Sequence, residues 1–203
     1  MSPDSLPSIP SIRLRAQSLA MLDAILCPEW PYRYYSFDSQ WGPGEEMASM
    51  RNGSGDDWFL LLDPAGATLK GFAHELAHDP ELARSIPLQL PAAFSSFLAE
   101  PAFSMENASF CFWRGTHDAV WHKLESTIAE DGSDEMLALL ANGPAAYKAW
   151  AEDYYERPVP LDAVTAVFAH QPLTGTLILA LNPEADVTQV HAETEGIAYP
   201  SAL

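Results

Sequence analysis

The chain has 203 residues, 48% of them apolar and 11% aromatic, with 28 acidic against 10 basic side chains and a formal net charge of −18 at pH 7. That is long enough for one sizeable core and too apolar for a disordered chain, in spite of 17 prolines. The average field repels a nucleic-acid backbone and an anionic membrane surface, and no run approaches the ~20 apolar residues of a membrane helix, so basic partners, metal cations or simple solubility fit the charge better.

Residues 1–10 are rich in Pro and Ser and are expected to form a loose N-terminal arm, with residues 11–203 as a single α+β domain. Asp4 stands where a secretory leader carries bases, which predicts a cytoplasmic protein. Ile12, Leu19, Leu22 and Leu26, with Met21 and Ile25 beside them, give a helical apolar face that stops at Pro28. YRYYSFDSQW (32–41) alternates and predicts a strand, whereas the polar stretch GPGEEMASMRNGSG (42–55) predicts a loop. DDWFLLLD (56–63) and TLKGFAHE (68–75), joined by Pro and Gly, predict a β-hairpin. PAAFSSFLAE places Pro91 at a first helical position, and ASFCFWR (108–114) reads as a strand buried on both faces, with Cys111 as a buried thiol.

The second half is more helical. Ser133 is placed to cap DEMLALLAN, which stops at Gly143–Pro144, and AAYKAWAEDYYER forms the next helix with Tyr147, Trp150, Ala151 and Tyr154 at helical spacing. Residues 161–182 are ambiguous between helix and strand. The fold expected is α+β: a small antiparallel sheet including a hairpin near 56–75, with about five helices concentrated in the C-terminal half.

One motif carries sharp chemistry. His74-Glu75-Leu76-Ala77-His78 matches H-E-x-x-H, which on a helix puts two imidazoles on one face around a Zn²⁺ and leaves the Glu to activate the bound water. Here it follows a predicted strand, Gly71 interrupts a helical reading, and Pro80 disfavours helix at Asp79. The remaining histidines stand at no recognised spacing, so neither a metal nor any other cofactor is assigned, and no catalytic residue is named. GSGDD (53–57) lacks the Lys-Ser/Thr of a phosphate loop and reads as the entry to the hairpin.

Aromatic residues with charged neighbours form the other candidate surface: Tyr34, Trp41, Arg51, Asp56, Asp57, Trp113, Arg114, Asp118 and Trp121. The first reading of such a set, Trp113 and Arg114 above all, is a core aromatic beside a structural ion pair; because Trp, Tyr and Arg dominate interface energetics, the alternative is a recognition surface. The acids clustered at 125–135, and those after Arg157 where no further Lys or Arg occurs, read first as a solvated face; the functional alternative is a surface that steers a basic protein partner.

The stretches YYSFDSQW, RNGSGDDWFLLLDPAGATLKGFAHE, SFCFWR with Trp121, and QPLTGTLILALNPEAD ending in IAYP together resemble a group of uncharacterised bacterial proteins over nearly the whole chain. In the strand pair and the LPAAFSSFL segment the chain also resembles, more weakly, the SMI1/KNR4-like proteins, which include bacterial toxin-immunity proteins. The second resemblance implies protein binding of the immunity type, and neither supplies catalytic residues. The expectation is a non-enzymatic, acidic protein-binding domain with no nucleic-acid or membrane partner. The alternative is a zinc-dependent hydrolase using residues 74–78.

Overall fold

In the computed structural model, which describes residues 1–76 and 80–202, the alternating runs become neighbours in one sheet. Among the described residues six strands pair in chain order, each antiparallel to the next: β1 (Tyr35–Gly42), β2 (Glu45–Arg51), β3 (Asp57–Asp63), β4 (Gly66–Phe72), β5 (Phe110–Gly115) and β6 (His122–Lys123). The expected hairpin is β3–β4, closed where Asp63 Oδ1 accepts the Ala65 and Gly66 amides at 2.8 and 2.9 Å.

The stretch expected as a loop at 42–55 contains β2 instead. Its polar composition conceals a strand because two of its polar side chains are satisfied by residues distant in sequence. Ser49 shares a 2.7 Å hydrogen bond with Ser36 across the ladder, and Glu46 takes both Nε and Nη2 of Arg13, while Met47 and Met50 go to opposite faces of the sheet. The position between two other strands supplies what local propensity does not.

Alternation explains the layers. Phe37, Met50, Trp58, Leu60, Leu69, Phe110 and Phe112 enter the core on one face, and Met47, Phe59, Leu61 and Cys111 enter a second core on the other. A sheet covered on both faces accounts for the nearly unbroken apolar runs WFLLL and FCFW.

Nine α-helices occur among the described residues, where about five were expected: α1 (Ile9–Leu26), α2 (Pro80–Gln89), α3 (Ser95–Ala99), α4 (Ser133–Met136), α5 (Ala138–Ala141), α6 (Pro144–Tyr154), α7 (Leu161–Phe168), α8 (Gly175–Leu181) and α9 (Val187–Ile197). Part of the excess is fragmentation: residues 134–142, expected as one helix capped by Ser133, give two four-residue pieces separated at Leu137, and Ser133 lies inside the first with Gly132 at its cap position. Another part is α9, which starts where Asp186 Oδ1 accepts the Thr188 and Gln189 amides. The ambiguous 161–182 segment is helical throughout its two elements, with Thr174 capping α8 by accepting the Leu177 amide at 3.1 Å.

From Ala16 to Leu26 every residue of α1 is buried, because the helix lies between the first sheet face and the C-terminal helices α7 to α9. It is a core helix, apolar on nearly all sides, and the few polar groups along it must be satisfied internally. α2, α3 and residues 103–108 cover the other face. The N-terminal residues are tied down: Leu6 is buried and the Pro7 carbonyl accepts Trp121 Nε1 at 2.7 Å. No helix among the described residues is long and apolar enough to cross a membrane.

Candidate functional site

The site begins with the one acid inside α1. Asp23 is fully buried, so its carboxylate has to be supplied with donors. Its Oδ2 accepts the backbone amides of Tyr34 and Tyr35 at 2.7 and 2.8 Å, and its Oδ1 accepts the Tyr147 and Tyr155 hydroxyls at 3.2 and 3.1 Å. Burial pushes this carboxyl up to about 6, with the four donors working in the opposite direction. The knot fixes the start of β1 against α1 and α6.

That anchorage builds an aromatic wall. The Tyr34 ring meets Trp150 edge-on at 4.9 Å and Tyr154 at 5.3 Å, Tyr35 meets Trp150 at 5.5 Å, and Trp150 stacks on Tyr154 at 5.0 Å. Burial first, then the negative groups of Tyr154, Asp56 and Glu135, push the Tyr34 hydroxyl up to about 12, so it is a neutral donor at any physiological pH.

Beside this wall lies a cleft of about 450 Å³, floored by Met50, Met136 and Leu139, and walled by Tyr34, Tyr35 and Trp150. Three carboxylates line it: Asp56, Glu75 and Glu135. Asp56 is held by neutral donors, the Asn52 side-chain amide at 2.6 Å and the His74 backbone amide at 2.8 Å, which orient it without cancelling its charge. Glu75 and Glu135 are exposed and form no ion pair among the described residues.

Local sequence explains how these groups are held. Asn52 Oδ1 accepts the Ser54 and Asp56 amides at 2.8 and 3.1 Å, an Asx-type turn that aims Asp56 at the residue 74 backbone. Gly132 sits at φ +80°, where an added Cβ would lie 2.6 Å from the Ala73 Cβ; only glycine lets the two sides of the cleft approach here. Trp58 Nε1 donates to the Met136 carbonyl at 3.1 Å, tying α4 to the sheet. Lys123 Nζ meets Asp131 Oδ2 at 2.6 Å, and Asp131 Oδ1 accepts both the Ser133 amide and hydroxyl. Burial opposes the charge of Asp131, but Lys123 and Ser133 outweigh it and hold the carboxyl below its ordinary value.

A second, smaller cleft of about 260 Å³ adjoins the first and shares Tyr34 and Asn52 with it. Trp30, Tyr32, Tyr154 and Arg51 line it, and Trp30 and Tyr32 remain 57% and 68% exposed.

Of the nine residues singled out by sequence, Tyr34, Arg51 and Asp56 converge on these clefts. The other six lie elsewhere and hold the fold. Asp57 is on the opposite sheet face, paired at 3.2 Å with the buried Lys70, and Trp41 stacks on Phe103 over that same face. Trp113 stacks on His122, Arg114 donates to the Asp118 and Ala119 carbonyls, and Asp118 accepts the Gly115 amide, so these three close the β5–β6 connection. Trp121 is buried against Pro7.

Sequence reasoning missed Asp23, Trp150, Glu75 and Glu135 as members of a site. A signal existed for Asp23, a lone acid within an apolar helix. Glu75 was noticed only as part of the histidine motif. In that motif His74 and Glu75 lie in a turn and Leu76 donates back to the Ala73 carbonyl at 3.2 Å, so the described part is not helical; His78 lies outside the described residues. Among the described residues no group of three His, Cys, Asp or Glu side chains is placed to hold a metal ion.

No family model matches the chain, and no curated protein and no solved structure matches it. The clefts therefore have to speak for themselves. Aromatic faces carry negative π density and the rim adds carboxylates, an arrangement that attracts an ammonium or guanidinium group.

Proposed function

We propose that this is a non-enzymatic protein-binding domain of the immunity type, whose larger cleft receives a lysine or arginine side chain of a basic partner. The observation that carries the reading is a cleft lined by Tyr34, Tyr35 and Trp150 together with the carboxylates of Glu75 and Glu135, which have no ion-pair partner among the described residues. The net charge of −18 supports it by steering a cationic partner from a distance. The resemblance of the strand pair and the residue 90–98 segment to SMI1/KNR4-like proteins favours binding over catalysis.

The test uses an acetylated, amidated arginine as probe and the Trp150 indole as local reporter in NMR titrations. Binding moves the Trp150 signal, weakens as salt is raised from 0.05 to 0.5 M, and drops when Glu75 and Glu135 are both changed to Gln. A Trp150 signal that ignores the probe, or binding unaffected by the double substitution, overturns the reading.

A further inference from the structure

Resting on that reading, we propose that the partner segment is dipolar: the larger cleft takes its basic side chain, and the adjoining cleft takes a carboxylate of the same segment through Arg51. The observation is a conspicuous vacancy in the charge pairing of an acid-rich molecule. Among the described residues every other lysine and arginine gives a hydrogen bond or ion pair to an oxygen, from Arg13 on Glu46 to Arg157 on the Leu26 carbonyl. Among the described residues the Arg51 guanidinium has no oxygen partner, and it lies 5.8 Å from the centroid of the Phe59 ring.

With 28 acids in the chain, this is not a shortage of carboxylates. The cross-strand neighbour of Arg51 is Asp57, but that carboxylate is committed to Lys70, a side chain with no exposure of its own. Lys70 needs the partner more, since an unpaired ammonium in a core is costly. The nearest acid is thus committed to the second core, and Arg51 is left lining both the cleft of Trp30, Tyr32, Tyr34 and Tyr154 and a neighbouring one with Trp30, Asp38 and Phe59. A planar guanidinium presents a two-pronged donor to a carboxylate, and the surrounding rings reduce competition from water.

Tyr34 and Asn52 line both clefts, so the two adjoin and, on this reading, favour opposite charges next to a shared residue. In an extended segment, side chains two residues apart project from the same face at about 7 Å, so one segment can present a basic and an acidic side chain to adjoining clefts. The pair also supplies a selectivity that acidity alone lacks. A uniformly basic segment satisfies one cleft and places like charge against Arg51 in the other.

The experiment titrates full-length protein with acetylated, amidated peptides in matched pairs, Arg-Ala-Asp-Ala against Arg-Ala-Asn-Ala, and the same pairs with two or three intervening alanines. Trp150 and Trp30 indole signals report the two clefts separately. The expected result is that the Asp member of at least one pair binds about three- to fivefold tighter than its Asn counterpart, and that it alone moves Trp30. Arg51→Gln abolishes that preference while the Asn peptide still binds at Trp150, and an unchanged urea midpoint shows that the variant is folded. Equal binding of Asp and Asn members in every pair, with Trp150 responding to both, overturns the dipolar proposal and leaves the cationic cleft standing. Silence of Trp150 towards every peptide overturns the reading on which it rests.

Discussion

Replacing Asp23 with asparagine keeps the shape of the side chain while removing the charge that α1 buries. The amide oxygen can take the Tyr34 and Tyr35 amides, and the Tyr147 and Tyr155 hydroxyls, which now donate, can turn to accept from the new NH₂ group. The wild-type carboxyl is carried from 3.8 to about 6 by burial, so the native state holds its proton over a range in which the unfolded chain has lost it. The stability this group contributes is therefore fully present below 3.8 and is lost as the pH rises through about 6. Over the full range that loss is on the order of 3 kcal/mol, of which about 1.4 kcal/mol falls between pH 5 and pH 8. Other carboxylates titrate alike in both proteins and cancel in the difference. Urea unfolding of wild type and Asp23→Asn, followed by tryptophan fluorescence at pH 5, 6, 7 and 8, should show the variant gaining on the wild type as pH rises. A difference that stays constant within about 0.3 kcal/mol across that range refutes the account of Asp23 as a buried, destabilised charge. Asp23→Ala provides the contrast: it strands two amides and two hydroxyls, costs about 4 kcal/mol or more, and loosens the Tyr34–Tyr35 wall at the same time.

The buried Lys70–Asp57 pair makes an asymmetric prediction. Asp57→Asn leaves an ammonium buried beside Phe59 and Phe72 and costs about 3 kcal/mol, whereas Lys70→Met is close to neutral, both read from urea midpoints. Burial already lowers the Lys70 pKa, so raising the pH to 9 or 10 restores part of the Asp57→Asn loss as the amine gives up its proton; a loss that grows with pH would contradict this. Gly132→Ala forces a side chain into the left-handed region against Ala73 and costs about 2 kcal/mol, seen as a lower melting temperature together with weaker arginine binding at Trp150. Trp58→Phe deprives the Met136 carbonyl of its donor and costs about 1 kcal/mol; a variant as stable as wild type would show that this bond does not hold α4 to the sheet.

The hairpin, α1, α6 and the doubly buried β5 were legible because their periods are written in consecutive residues. Strand β2 was not, since Ser49 and Glu46 are strand residues only by virtue of Ser36 and Arg13 opposite them. The break at Leu137 was equally hidden: nothing in EMLALLAN forbids a continuous helix, and the interruption accompanies the tie of Met136 to Trp58, a residue of the sheet. At the site, Tyr34 and Asp56 were visible as residue types suited to binding. Arg114 and Trp113 share those residue types and read first as structural, and their engagement with loop carbonyls and His122 is of that structural kind.

By itself the sequence determined the acid excess, the aromatic supply, the alternating sheet core and a largely helical second half. These properties are local or additive: a period of two or 3.6 and a sum of charges need no knowledge of distant neighbours. Only the tertiary structure decided which charges are spent. Asp23 gathers partners from as far as Tyr155 and becomes an internal anchor, Asp57 is consumed by Lys70, and Arg51, Glu75 and Glu135 are left facing solvent at two clefts that share one tyrosine. The cleft walls come from residues 34–35, 50–56, 73–76, 132–139 and 150, brought together by strand register and by the knot at Asp23. Pairing between charges depends on distances of a few ångströms across the fold, and separation along the chain carries no such information.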